Sequence, residues 1–169
     1  VIESRGLGDV YKRQSIMNKL LFFLLLFYLH VANVYSDVIK PNTKIEPYNV
    51  VEIQLISLKN NDKPDKDFGI EQTWEFAHPE NKINTGPLNN FKKMLKNEIY
   101  SILLNHKDHK IEEIYNNKKI AIYDVIILGS DNFYYEFKWQ VERYDGKGSL
   151  NNCWLTTAVS NPVSLGASI

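Results

Sequence analysis

Around His109 the apolar period of the chain changes from about 3.6 residues to about 2, and no helical pattern returns afterwards. Upstream lie three stripes with helical spacing: Val51, Leu55 and Leu58; Ile70, Trp74 and Ala77; and Leu88, Phe91 and Leu95, with Met94 beside them. Downstream the pattern predicts a weak strand over 111–115, a strongly apolar one over 119–128, an alternating one over 133–144 and a last one over 150–159. In the third of these, Phe133, Tyr135, Phe137, Trp139 and Val141 share one face, while Glu136, Lys138, Gln140 and Glu142 share the other. One face of the sheet therefore meets a core and the other meets water. Helices followed by consecutive strands predict an α+β fold, with three N-terminal helices packed on a curved four-stranded antiparallel sheet.

Breakers divide the helical half. Asn60 to Asp65, with Pro64, ends the first helix, and a second helix is predicted from Phe68 to His78, stopped by Pro79. A loop through Asn84 and Thr85 leads to Pro87, which suits a first helical position because its missing N–H has no partner there anyway. The third stripe continues through Tyr100, Leu103 and Leu104 as a broken last turn. Pro41 and Pro47 mark residues 37–47 as a flexible leader, and the small, polar segment 160–169, with Pro162, is predicted to fray. The domain proper then spans residues 48–159.

The first 36 residues read as something other than domain. Ser4 to Gln14 resembles the in-frame translation of a transposon-end adapter used in preparing sequencing libraries. Two of the three arginines, Arg5 and Arg13, fall in this stretch, whereas the rest of the chain uses lysine for nearly every positive charge. Residues 1–16 are therefore read as an artefact. From Met17 a short basic segment with Lys19 precedes an apolar run, Leu20 to Leu29, and Val34-Tyr35-Ser36 offers a small residue for cleavage. That is the pattern of a secretory signal over residues 17–36, and the run is shorter than the ~20 residues a membrane span requires. The expectation is an exported protein, periplasmic or secreted, that meets a membrane only transiently during export. The alternatives are a plastid or thylakoid lumen, or an anchor formed by an uncleaved signal.

Without that leader the chain carries sixteen basic and eighteen acidic residues, a net charge near −2. Such a balance gives no electrostatic case for nucleic acid. The lone Cys153 cannot form an internal disulfide, and there is no N-x-Ser/Thr sequon.

Several blocks carry a family resemblance. They are Val51-x-x-Gln54-Leu55-x-x-Leu58, then Trp74-x-Phe76-Ala77-x-Pro79-x-Asn81, then Thr85-Gly86-Pro87-Leu88-x-x-Phe91-x-x-Met94. Tyr100-x-x-Leu103-Leu104-x-His106, Trp139 and Cys153-Trp154 follow. With the order of elements, they make the chain similar to the nuclear transport factor 2-like superfamily, and within it to an uncharacterised domain family. The resemblance implies a cone-shaped domain with a cavity between helices and sheet, and often a homodimer through the outer sheet face. It implies no particular activity, since one fold hosts many functions.

Trp74, Tyr100, Tyr135 and Trp139 are candidates to line a cavity for a small apolar ligand, with core filling as the plainer account of the same aromatics. His78 is a candidate cavity acid or base; a helix-end histidine facing C-terminal carbonyls is the plainer account. Asp124, with Tyr100 as hydroxyl partner, is the candidate acid for an isomerase or hydrolyase, set against an aspartate on the exposed sheet face or paired with Lys138. His106-Lys107-Asp108-His109 offers metal-ligating types, but Lys107 opposes a cation and no partner spacing completes a set, so the segment reads as a solvated loop. No metal and no cofactor is expected. A non-catalytic ligand binder or accessory domain is the leading functional expectation, ahead of the isomerase or hydrolyase and of a structural module dimerising through the outer sheet face.

N-terminal sequencing of the protein from its own host is expected to begin at Asp37. Recovery of residues 1–14 would show the adapter reading to be wrong.

Overall fold

A computed structural model describes residues 37–167, so the adapter-like and signal-like segments lie outside the described residues. Those residues form an α+β fold with four α-helices, one 3-10 turn and five strands. Helix α1 is Pro47–Lys59, α2 Phe68–Glu75, α3 Pro79–Thr85 and α4 Leu88–Leu95, followed by the 3-10 turn Ser101–Leu103. The strands are β1 Asp108–Asn116, β2 Ile120–Leu128, β3 Phe133–Arg143, β4 Trp154–Val159 and β5 Val163–Ala167. All strand pairings within the sheet are antiparallel, in the order β1-β2-β3-β4, with β5 also on β3.

Helix α1 starts with Pro47 at its first turn, one residue before the predicted start, and buries Val50, Val51, Gln54, Leu55 and Leu58. Asn60 ends it, its backbone N–H bonding back to Ile56 and Ser57. The cap of α2 comes from a distance. Asn61 accepts the Gly69 N–H on its carbonyl (2.9 Å) and the Ile70 N–H on its side chain (3.2 Å). Gly69 lies so close to α1 that a Cβ would collide with the Ser57 carbonyl and the Asn61 backbone, so glycine sets the distance between the two helices.

Two boundaries differ from the sequence reading for one reason. The second helix stops at Glu75, because the backbone of Phe76 to His78 is used by β4: Thr156 N–H donates to Phe76 (2.8 Å) and His78 N–H to Thr156 (2.9 Å). Pro79 consequently starts a helix rather than stopping one. The expected loop through Asn84 is α3, with His78 as its cap, accepting the Glu80 N–H on Nδ1 at 3.3 Å.

The tail predicted to fray is instead a strand. β5 pairs with the first half of β3, Glu136 opposite Val163 and Phe133 opposite Ala167, while β4 pairs with the second half, Trp139 to Arg143. β4 and β5 thus lie along the same edge of β3, interrupted by Ser160 to Pro162. Ser160 bridges the break, donating its N–H to Lys138 and accepting the Lys138 N–H on Oγ, both at 2.9 Å. The leader too is attached: buried Gln72 donates to the Ile39 carbonyl (2.9 Å) and accepts the Ile39 N–H (2.6 Å).

One core joins the helices and the inner sheet face. Val50, Leu55 and Leu58 of α1, Ile70 and Phe76, and Phe91 and Leu95 of α4 meet Tyr123, Val125, Ile127, Phe137, Trp139 and Val141. Buried residues alternate along β2, leaving Ile120, Ile122, Asp124 and Ile126 half-buried on its outer face.

The Gln54 amide crosses this core. Its Oε1 accepts from the Trp139 indole (3.1 Å) and the Thr156 hydroxyl (2.6 Å), and its Nε2 donates to the Thr73 carbonyl (3.1 Å). Truncating one member of such a buried network leaves the others unsatisfied at about 1–3 kcal/mol each. Gln54→Leu, nearly the same shape, is expected to destabilise the fold by about 2–4 kcal/mol in urea unfolding. A loss below half a kcal/mol would show that the amide is dispensable.

Candidate functional site

The helices and β4 enclose a cavity of about 250 Å³. Its walls come from α2 (Trp74), the segment after it (Ala77), α3 (Asn81, Thr85), α4 (Phe91, Met94, Leu95), the 3-10 region (Tyr100, Leu103), Trp139 and the strand Thr156 to Val159. Gln54, Leu58 and Thr73 complete the lining. The lining holds no Asp, Glu, His, Cys, Lys or Arg side chain.

Each aromatic reaches the cavity for a local reason. Trp74 lies one turn beyond buried Ile70 on α2, and packs on Phe91 with ring centroids 4.9 Å apart. Lys82 Nζ lies 5.4 Å from the Trp74 ring centroid and donates to the Glu75 carbonyl at 3.3 Å, and burial pushes the pKa of this lysine down. Trp139 is on the inner face of β3, buried, with its N–H committed to Gln54 and, at 3.4 Å, to Thr156. The Tyr100 hydroxyl makes only long contacts, 3.5 Å to the Val159 carbonyl and 3.4 Å to Asn161.

The other candidates lie elsewhere. Tyr135 shares the face of Trp139 but sits toward the turn, where its hydroxyl donates to Asp131 at 2.6 Å and is absent from the cavity wall. That bond raises the Tyr135 pKa and lowers that of Asp131. His78 is held by its cap bond and an edge-on contact with Tyr144, centroids 5.3 Å apart. It therefore faces the N-terminus of a helix, not the C-terminal carbonyls expected from sequence. Asp124 stands on the outer sheet face opposite Lys138, and the two pair at 2.7 Å. The sequence had offered that pair as the plain account of Asp124. Of the residues singled out, the fold brings Trp74, Tyr100 and Trp139 together and leaves Tyr135, His78 and Asp124 apart.

Sequence reasoning overlooked the polar part of the wall. Asn81 donates to the carbonyls of Thr156 (3.1 Å) and Thr157 (2.7 Å), and so covers the edge of β4 beside the cavity. Asn81 stands in one of the blocks that carry the family resemblance. That was the available signal, but no helical stripe or strand alternation marks it.

Comparison with family models, with curated proteins and with solved structures finds no match. Among the described residues, no three His, Cys, Asp or Glu side chains are grouped to hold a metal ion, and no helix is long and apolar enough to cross a membrane. Cys153 is buried, and burial raises its thiol pKa, the reverse of what an activated nucleophile needs.

The segment 106–109 is not the solvated loop its composition suggested. Asp108 and His109 begin β1, Asp108 pairs with Lys59 at 3.1 Å, and His106 is buried. His106 Nδ1 lies 2.7 Å from the Leu103 carbonyl, which can only accept, so Nδ1 carries the proton. With His106 neutral, its Nε2 accepts from His109 Nδ1 at 2.8 Å. Burial, reinforced by His109 and Lys59 and opposed by the Leu103 bond and Asp108, pushes His106 down to about 4. Burial and Lys59 also lower His109, against Asp108 and Glu52.

A histidine depressed in the folded state stabilises fully above its unfolded value of about 6.5, and that contribution is lost as pH falls toward its folded value. Between pH 6.5 and 4.5 the loss is expected to be about 2–3 kcal/mol. His106→Asn keeps a donor for Leu103 but does not titrate. Urea unfolding should show the variant less stable at pH 7 and the gap closing by about 2 kcal/mol at pH 4.5. Parallel curves for the two proteins would refute the buried neutral His106.

Proposed function

We propose that this chain is an exported domain of the nuclear transport factor 2-like cone fold that holds a small ligand and performs no reaction on it. The observation that carries the reading is the cavity between helices and sheet, walled by Trp74, Phe91, Tyr100 and Trp139 and without a charged side chain in its lining. Binding sites for small molecules are mostly apolar with a few placed polar groups. A volume of about 250 Å³ lies just under the ~300 Å³ at which such sites usually begin, while a benzene ring fits in ~150 Å³. The ligand is therefore small, of one or two rings or a short chain.

The cone assignment is supported by the order of helices before an antiparallel sheet and by the positions of the residues that carry the resemblance. Gln54, Trp74 and Asn81 all border the cavity, and Gly86 takes a positive φ of 82° at the end of α3. Export rests on the signal-like run from Leu20 to Leu29.

An isomerase or hydrolyase would need an acid or base facing the cavity. Asp124 pairs with Lys138 on the other face of the sheet, His78 caps α3, and Tyr100 alone of the three borders the space. That arrangement favours a binder. A structural module dimerising through the outer sheet face would bury Glu136, Lys138, Gln140 and Glu142 with the half-buried isoleucines of β2, an unusually charged centre for an interface.

Native mass spectrometry of the protein purified from its own host is expected to show a retained small molecule. Val159→Trp, placing a bulky ring at a half-buried lining position opposite Trp139 on the inner face, should release it while leaving the fold intact by circular dichroism. A bare monomer in repeated preparations of the unaltered protein would count against the reading.

A further inference from the structure

We propose that the cavity selects an uncharged ligand, one with an apolar body and a single neutral hydrogen-bonding group such as a hydroxyl or carbonyl. This inference rests on the ligand-binding reading above and narrows it by chemistry.

The deeper polar groups of the wall are already committed to one another. Gln54 Oε1 holds the Trp139 N–H and the Thr156 hydroxyl, Gln54 Nε2 donates to the Thr73 carbonyl, and the Thr73 hydroxyl donates to Gly69 at 2.8 Å. A carboxylate or ammonium entering there would find no counter-charge in the lining, and an unpaired buried ion costs several kcal/mol. The nearby Lys82 is engaged by the Glu75 carbonyl and the Trp74 face and is not part of the wall.

Uncommitted hydrogen-bonding capacity lies at the half-exposed part of the lining. Tyr100 makes only contacts of 3.4–3.5 Å through its hydroxyl, so a ligand group at ordinary distance would improve on them. Asn81 spends its N–H₂ on β4, which turns its carbonyl oxygen into the acceptor left over for a guest. A phenol-type hydroxyl and an amide oxygen together suit a neutral group that both accepts and donates. The apolar body would lie on Trp74, Phe91 and Met94.

The test is a size-matched series at pH 7: 4-ethylphenol, 4-ethylbenzoate and 4-ethylbenzylammonium, titrated into the isotope-labelled protein and followed by amide shifts of Trp74, Tyr100 and Thr157. The expected result is saturable binding of the phenol, about tenfold or more tighter than either ion, and lost in Val159→Trp. Tyr100→Phe should weaken the phenol while leaving ethylbenzene, the probe without a head group, unchanged. Comparable affinity for an ion would overturn the selectivity and leave ligand binding standing. No saturable shift from any of the probes would overturn both.

Discussion

The arrangement of this domain depends on one buried amide. Gln54 sits in the middle of α1, nearly sealed from solvent, and reaches α2, β3 and β4 through the Thr73 carbonyl, the Trp139 indole and the Thr156 hydroxyl. A buried amide must place its acceptor and donors correctly or carry a penalty of about 1–3 kcal/mol for each polar group left alone. Apolar packing tolerates sliding, whereas this pattern of bonds fixes how α1 lies across the sheet. Oil-like contacts between Leu55, Leu58 and the inner strand residues supply bulk stabilisation, and the amide supplies a single register.

The same economy of polar groups shapes the cavity. After α2 ends, the chain from Phe76 to His78 runs beside β4 and exchanges backbone bonds with Thr156, and Asn81 donates to the Thr156 and Thr157 carbonyls. This connection holds α3 against the strand edge and spans the space that α4 does not fill. A hole of about 250 Å³ remains, with the Asn81 bonds to β4 on one side and Trp74, Phe91 and Met94 on the other. The rest of the edge of β3 is served by β5, whose Val163 and Leu165 are exposed.

The buried histidine pair has a different consequence. His106 links the end of the helical half to β1 through Leu103 and His109, so the junction between the two periodicities is itself a proton-sensitive contact. Four polar residues in succession ordinarily lie in solvent, and His106 of this segment does not. The hydrogen bond to the Leu103 carbonyl and the paired ring, neither visible in a linear pattern, make its burial affordable.

By itself the sequence determined the α+β class, the order of helices before strands, the inner face of β3 and the cores of α1 and α4, since each follows from local periodicity. It also named Trp74, Tyr100 and Trp139, because large aromatics on apolar faces have few other places to go. Tertiary structure alone decided the rest. The second helix ended early because β4 claimed its backbone, and Pro79 became a start because His78 was free to cap. Residues 163–167 became a strand because β3 had half an edge unpaired. Asp124 met Lys138, and His78 met Tyr144, through pairings distant in sequence that no period encodes. Local pattern specifies which face of an element is apolar; which hydrogen-bonding partner satisfies its ends is settled only when the elements meet.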